Sequence, residues 1–222
     1  MSIQDNNKTD NHNPTEAKII EAAKYLFIQK GYAETSMSDI AARAGINRPA
    51  LHYYFRTKDK MFHAVIGDIV SAIIPKVYKL LTKKEMPIAN RIGGMIDAYY
   101  SLFIQIPRLP MFIIREINRD ADMLISTIIQ MHLNVKAQNV INCIQEEMNC
   151  GKLNKVPIRF FFCSFYGLLV TPLLMQDVIR AVMLEDGETF EQMLQKWKPY
   201  LLRQILALLL PPQEFVKALG GI

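Results

Sequence analysis

Gly45 sits between two short runs whose apolar residues fall at fixed intervals, and that spacing constrains the chain more than any other feature. Ile40, Ala41 and Ala44 precede it; Ile46, Leu51 and Tyr54 follow. Two helices that cross at a tight corner need such a set. Ala41 is small where the second helix passes over, Gly45 accepts the positive φ of the corner, and Ile46 and Leu51 plug the angle. Ser36-Met37-Ser38-Asp39 carries the capping pattern for the first helix. Asn47 caps the second, where Pro49 is tolerated because first-turn amides have no intrahelical acceptor. The spacing predicts a helix-turn-helix over about 36–55, with Arg48, Ala50, His52 and Tyr53 pointing away from the plug and Tyr54 turned inward.

The surrounding chain follows the same helical logic. Asn13, Pro14 and Glu16 form an N-terminal helix signature, Ile19, Ala23, Leu26 and Phe27 keep helical spacing, and Gly31 supplies a left-handed stop. A fourth helix begins at Thr57. Beyond residue 60 the apolar runs lengthen, as in Leu133, Ala137, Val140, Ile144 and Met148, or Phe190, Leu194, Trp197, Leu201, Ile205 and Leu208. Pro75, Pro172 and Pro199 predict kinks or breaks within such runs. Only 10 Gly and 11 Pro punctuate 222 residues, too few for a turn-rich β-sandwich. The fold class is all-α: an N-terminal three-helix domain with the helix-turn-helix, joined to a larger helical bundle. The division reads as an arm over 1–12, a first domain over 13–65, a second over 66–212 and a tail over 213–222.

Charge points to the same segment. The chain carries +5 in all, while Arg43, Arg48, Arg56, Lys58 and Lys60 face Asp59 alone between positions 43 and 60. The hydroxyls of Ser36 and Ser38 at one helix start, and Lys58 at another, suit phosphate oxygens.

Other chemistries lack their residues. There is no H-E-x-x-H, no G-x-S-x-G and no phosphate-binding glycine loop, so the chain reads as no enzyme. Four scattered histidines and three cysteines without a C-x-x-C give no metal spacing, and no cofactor is expected. Glu146-Glu147 reads as a solvated helix end, and His132, among apolar residues, as a core histidine. The uncharged stretch Phe160–Gln176 sits at the lower limit for a membrane span; interrupted by Ser164, Thr171 and Pro172, it reads as a buried helix. The opening residues are polar, so the chain reads as cytoplasmic, with no membrane partner.

These residues resemble the tetracycline-repressor (TetR) family of bacterial regulators over about Asn13 to Val70. Ile20-Glu21-Ala22-Ala23, Leu26-Phe27 and Lys30-Gly31-Tyr32 look like its first helix, and Thr35 to Ala41 like its approach to the motif. Gly45 to Asp59 matches its signature almost position by position. The departures are Asn47, Pro49 and His52, where members usually carry Ser or Thr, Gly, and Tyr. The resemblance implies double-stranded DNA as partner, bound as a palindromic operator by a homodimer whose recognition helices enter adjacent major grooves. It also implies a C-terminal half that binds an inducer and dimerises through its last two long helices.

On that reading Ser36, Ser38, Arg48, Ala50, His52, Tyr53 and Lys58 form the DNA-binding set. Tyr99, Tyr100, Phe103, Phe112, Arg115, Met131, His132, Phe162 and Tyr166 are the pocket candidates for a small apolar effector, with Glu116 as a further polar candidate. The dimer face is placed on one helix from about Ile158 to Val182 and on Trp197, Leu201, Ile205 and Leu208. A ligand-released repressor is the leading reading. A constitutive or architectural DNA-binding protein, or an enzyme on a small apolar molecule with a DNA-binding appendage, are the alternatives.

Overall fold

The computed structural model describes residues 14–219. The arm over 1–12, the cap at Asn13 and the last three residues lie outside them. Twelve helices and no strand are present among the described residues. The chain divides between Ile69 and Val70 into two compact units, a few residues beyond the expected 65/66 boundary.

The first unit holds α1 (Pro14–Lys30), α2 (Met37–Ala44), α3 (Arg48–Tyr54) and the start of α4 (Lys58–Leu81). Its core is built from the positions that helical spacing turned inward: Ile19, Ala23, Phe27, Ile40, Leu51 and Phe62 are all fully buried. Phe27, Tyr32 and Phe62 interlock, with ring centroids 5.2 to 5.9 Å apart, tying the end of α1 to α4. Gly31 stops α1 with φ 86°, a conformation that strains any residue with a Cβ. Asp68 and Glu21 both hold the Lys24 ammonium, at 3.0 and 2.6 Å.

The second unit contains the remainder of α4, then α5 (Ile88–Gln105), α6 (Leu109–Arg119), α7 (Ala121–Gln130), α8 (Leu133–Asn149), α9 (Ile158–Leu174), α10 (Gln176–Val182), α11 (Phe190–Leu209) and α12 (Pro212–Leu219). The stretch read as a tail from 213 is therefore helical as far as 219. Helix α11 packs on α5 and α9, and α6 also packs on α9. Phe161, Phe165, Leu169, Leu201, Ile205 and Leu209 are buried at these crossings.

Three expectations need correction. The helix expected over Ile158–Val182 is two helices, bent by 60° at Met175. Pro172 has no N–H to offer the carbonyl four residues back, that of Leu168, so the α9 ladder loses a bond near its end. Trp197 of α11 fills the gap, its indole Nε1–H donating to Leu168 O at 3.1 Å. Pro75 and Pro199, by contrast, lie inside α4 and α11 on exposed positions, where water can take the released carbonyls. Second, Leu201 and Ile205 are 0% and 1% exposed within the protomer, so that side of α11 is core and cannot face a partner. Third, Glu147 is not solvated: it is buried in a two-pronged pair with Arg91 of α5, at 2.8 and 2.5 Å. Among the described residues no single helix is long and apolar enough to cross a membrane; the bent α9–α10 pair passes that test only jointly.

Candidate nucleic-acid interface

Local hydrogen bonding fixes the corner between α2 and α3. Ser36 caps α2 in a closed box: its Oγ accepts from Asp39 N–H and the Asp39 carboxylate accepts from Ser36 N–H, each at 3.1 Å. That bonding, first from the Ser36 side and then from the backbone, holds the Asp39 carboxyl below its ordinary pKa. At the other end Gly45 adopts φ 67°. Its N–H donates to Ala42 O at 3.2 Å and that of Ile46 to Ala41 O at 3.1 Å, the paired bonds that close a helix through a left-handed residue. Two residues on, Asn47 Oδ1 accepts from Ala50 N–H at 2.8 Å and starts α3.

Only Leu51 of the seven α3 residues is buried. Arg48, Pro49 and His52 are exposed, Tyr53 is 84% exposed, and Ala50 and Tyr54 are half-buried. Tyr54 stands edge-on to Tyr53, with centroids 5.3 Å apart. Large aromatic surface is rarely left in water without a use, and Tyr53 is the most exposed large apolar side chain among the described residues. Ser36 and Ser38 are exposed at the α2 start. Lys58 is half-buried: its ammonium donates to Ala33 O at 3.2 Å and lies 4.3 Å from the Tyr32 ring centroid. The loop leading into α2 thus positions it.

One residue of this surface stood outside the expected set. Arg43, in the last turn of α2, lays its guanidinium 3.4 Å from the ring centroid of Tyr25 on α1. The sequence registers Arg43 as a charge, but its stacking partner lies eighteen positions away on another helix. Such stacking restrains the side chain and leaves the guanidinium edges open.

The aromatic residues of the second unit are brought together only in part. Tyr99 and Tyr166 join hydroxyl to hydroxyl at 2.6 Å, and Phe103 and Phe162 stack near them at centroid distances of 5.9 and 6.2 Å. Burial pushes both tyrosine pKa values up. Tyr100 is 3% exposed and its hydroxyl has no hydrogen-bond partner; burial alone drives its pKa upward. Phe112 is buried, with Arg115 exposed beyond it and Met131 half-buried. His132 is a correction, being exposed rather than core. It stands ahead of α8 with φ 53°, at a corner where the chain must turn and a polar ring suits water. Glu116 is buried and accepts from Arg119 Nε at 2.6 Å.

Two clefts of this unit lie elsewhere. One, of about 680 Å³, is lined by Cys163, Leu168, Met175, Met183, Trp197 and their neighbours on α9 to α11. Another, of about 420 Å³, lies around Lys84, Arg91, Lys152 and Lys217. None of the nine pocket candidates lines either.

Comparison with known proteins agrees with this geometry. Residues 19–65 match the family model of "Bacterial regulatory proteins, tetR family". The HTH-type transcriptional regulator TtgR of Pseudomonas putida is 38% identical over 55 residues, 25% of this chain and 26% of that protein. The match thus spans about a quarter of that relative's length. A longer alignment joins the chain to the probable HTH-type transcriptional regulator YttP of Bacillus subtilis (strain 168), at 28% identity over 185 residues, 76% of this chain and 82% of YttP. Among solved structures, the fatty acid degradation regulator FadR of Bacillus halodurans shares the fold with a TM-score of 0.63 at 15% identity, covering 86% of this chain and 95% of that one. The capped corner and the exposed α3 lie within the residues that match, so over 19–65 the chain is similar to the tetR family of bacterial regulatory proteins.

Proposed function

We propose that the protein is a repressor, working in the cytoplasm, that holds a palindromic operator as a homodimer and is released by a small apolar effector. The observation that carries the DNA half is α3: a short helix anchored by Leu51 and its caps, with Arg48, His52 and Tyr53 turned to solvent. Arg48 reads a base edge in the major groove; Ser36, Ser38, Tyr53 and Lys58, with Arg43 beside them, meet phosphates. The two α3 helices of the dimer then lie roughly 34–36 Å apart, one turn of duplex.

The effector half rests on the aromatic cluster around Tyr99 and Tyr166 and on the unpartnered Tyr100 hydroxyl, which a ligand acceptor would satisfy. Helix α4 begins in the first unit and ends in the second, so it is the covalent route by which effector binding reaches α3.

The test is binding of the full chain to duplexes drawn from the DNA flanking its gene. Arg48→Ala should lose about 1–3 kcal/mol and relax preference at one base position. An unchanged affinity and preference would refute the recognition role of α3. For the effector, candidates are titrated with and without saturating operator. Operator should weaken a true effector by about 5–150-fold. Equal affinity in both conditions for every binding compound would leave a constitutive DNA-binding protein.

A further inference from the structure

The cleft around Arg91 has the construction of an anion site, and nothing in the DNA-binding role uses it. It is formed by the α4–α5 loop, the first turn of α5, Glu147 of α8, the α8–α9 loop, Leu210 and α12. Its 420 Å³ is within the range for small-molecule sites. One wall is held firmly, since Asn154 clamps the end of α11, donating through Nδ2 to the carbonyls of Leu208 and Leu210 at 3.2 and 2.9 Å.

Two independent features of the cleft favour negative charge. Pro87, the residue before α5, offers no side-chain cap, so the first N–H groups of that 18-residue helix, at the cleft-lining residues Ile88 and Ala89, have no side-chain acceptor. Arg91, one turn in, lines the same cleft with its side chain 2% exposed. Its two terminal nitrogens are taken by Glu147 and by Leu81 O, but Nε is buried with no partner at all. A buried donor left unpaired is unfavourable and marks a place where an acceptor is missing.

The lysines and carboxylates around the cleft can be matched one by one. Glu146 holds Lys84 at 2.5 Å and Glu214 holds Lys217 at 2.8 Å. Lys152 is on the lining and is exposed, and it forms no ion pair among the described residues; Glu85, also on the lining, forms none either. These two offset each other, and Glu147, also on the lining, neutralises Arg91, leaving the helix terminus and the unpartnered Arg91 Nε–H as donors that favour an acceptor. Beside them the lining is apolar, with Met86, Ile88, Leu153, Leu210 and Ala218.

We propose that this cleft binds a small amphipathic carboxylate, its headgroup at the start of α5 beside Lys152 and its apolar part against Ile88, Leu153 and Leu210. The site is distinct from the aromatic cluster around Tyr99, and it stands whether or not that cluster takes an effector.

The experiment is calorimetric titration of the full chain with sodium octanoate, with octylammonium and inorganic phosphate as parallel arms. Octanoate should bind saturably and octylammonium should not. Lys152→Glu should weaken octanoate at least ten-fold. Ala89→Glu places a carboxylate in the first turn of α5, where it is itself favourable; it should abolish binding while leaving the melting temperature unchanged or raised. Glu85→Gln should tighten binding. No saturable octanoate binding, or equal binding by wild type, Lys152→Glu and Ala89→Glu, overturns the proposal. Phosphate binding as tightly as octanoate overturns its apolar half.

Discussion

At the scale of single residues, the buried pair Arg91–Glu147 carries the largest consequence. Removing one partner strands the other charge in the interior, so Arg91→Met or Glu147→Gln should each cost about 3–5 kcal/mol, whereas the double replacement Arg91→Met/Glu147→Leu should cost far less. Urea unfolding of the three variants checks this, and additive losses would refute the coupling. The sequence did not reveal the pair. Glu146 and Glu147 stand side by side near a helix end, which reads locally as solvated, and the residue that distinguishes them lies 56 positions away. Asp39 is the opposite case, its partner three residues off and visible in the pattern. Its folded pKa lies below the unfolded value of 3.8. Its contribution is therefore complete above that value and is lost as pH falls through the folded pKa. Asp39→Asn should flatten the acid limb of thermal stability measured against pH. An unchanged limb would mean that the capping box contributes nothing through its charge.

Among the elements, those whose ends are written in side chains were legible and those ended by tertiary contacts were not. Ser36, Gly45 and Asn47 mark the bounds of α2 and α3 in sequence because caps and left-handed corners are local chemistry. Of the expected set, Ser36, Ser38, Arg48, His52 and Tyr53 are exposed for the same reason, being what remains once Ile40, Ala41, Ala44 and Leu51 are buried, while Ala50 and Lys58 are half-buried. The break between α9 and α10 was half legible. Pro172 announced a disturbance, but the bend lies three residues later, and an indole from α11 accompanies it. Trp197→Phe keeps the ring and removes the donor, leaving Leu168 O without its partner. It should cost about 1–3 kcal/mol, read from denaturant midpoints, and Pro172→Ala in the same background should restore much of the loss by returning an N–H to the ladder. Failure of that rescue would separate the indole from the proline.

For the molecule as a whole, the proposed dimer makes the sharpest distinction. Periodicity ranked Trp197, Leu201, Ile205 and Leu208 together because an apolar stripe looks the same whether it meets its own chain or another. Packing separates them: Leu201 is core, while Tyr200 on the same helix is 62% and Val182 of α10 75% exposed. Leu201→Asp should therefore unfold the protomer. Tyr200→Asp should leave circular dichroism intact and shift sedimentation from dimer to monomer. A folded Leu201→Asp monomer would return that stripe to the interface. A different consequence follows from α3. With Leu51 its one buried side chain, the helix separates what the fold requires from what the proposed DNA contacts would require. Arg48, Pro49, His52 and Tyr53 are free to change from one descendant to the next with little penalty to folding. On the proposed recognition role of α3, a lineage built on this corner can exchange one operator for another by small steps, each passing through a folded protein.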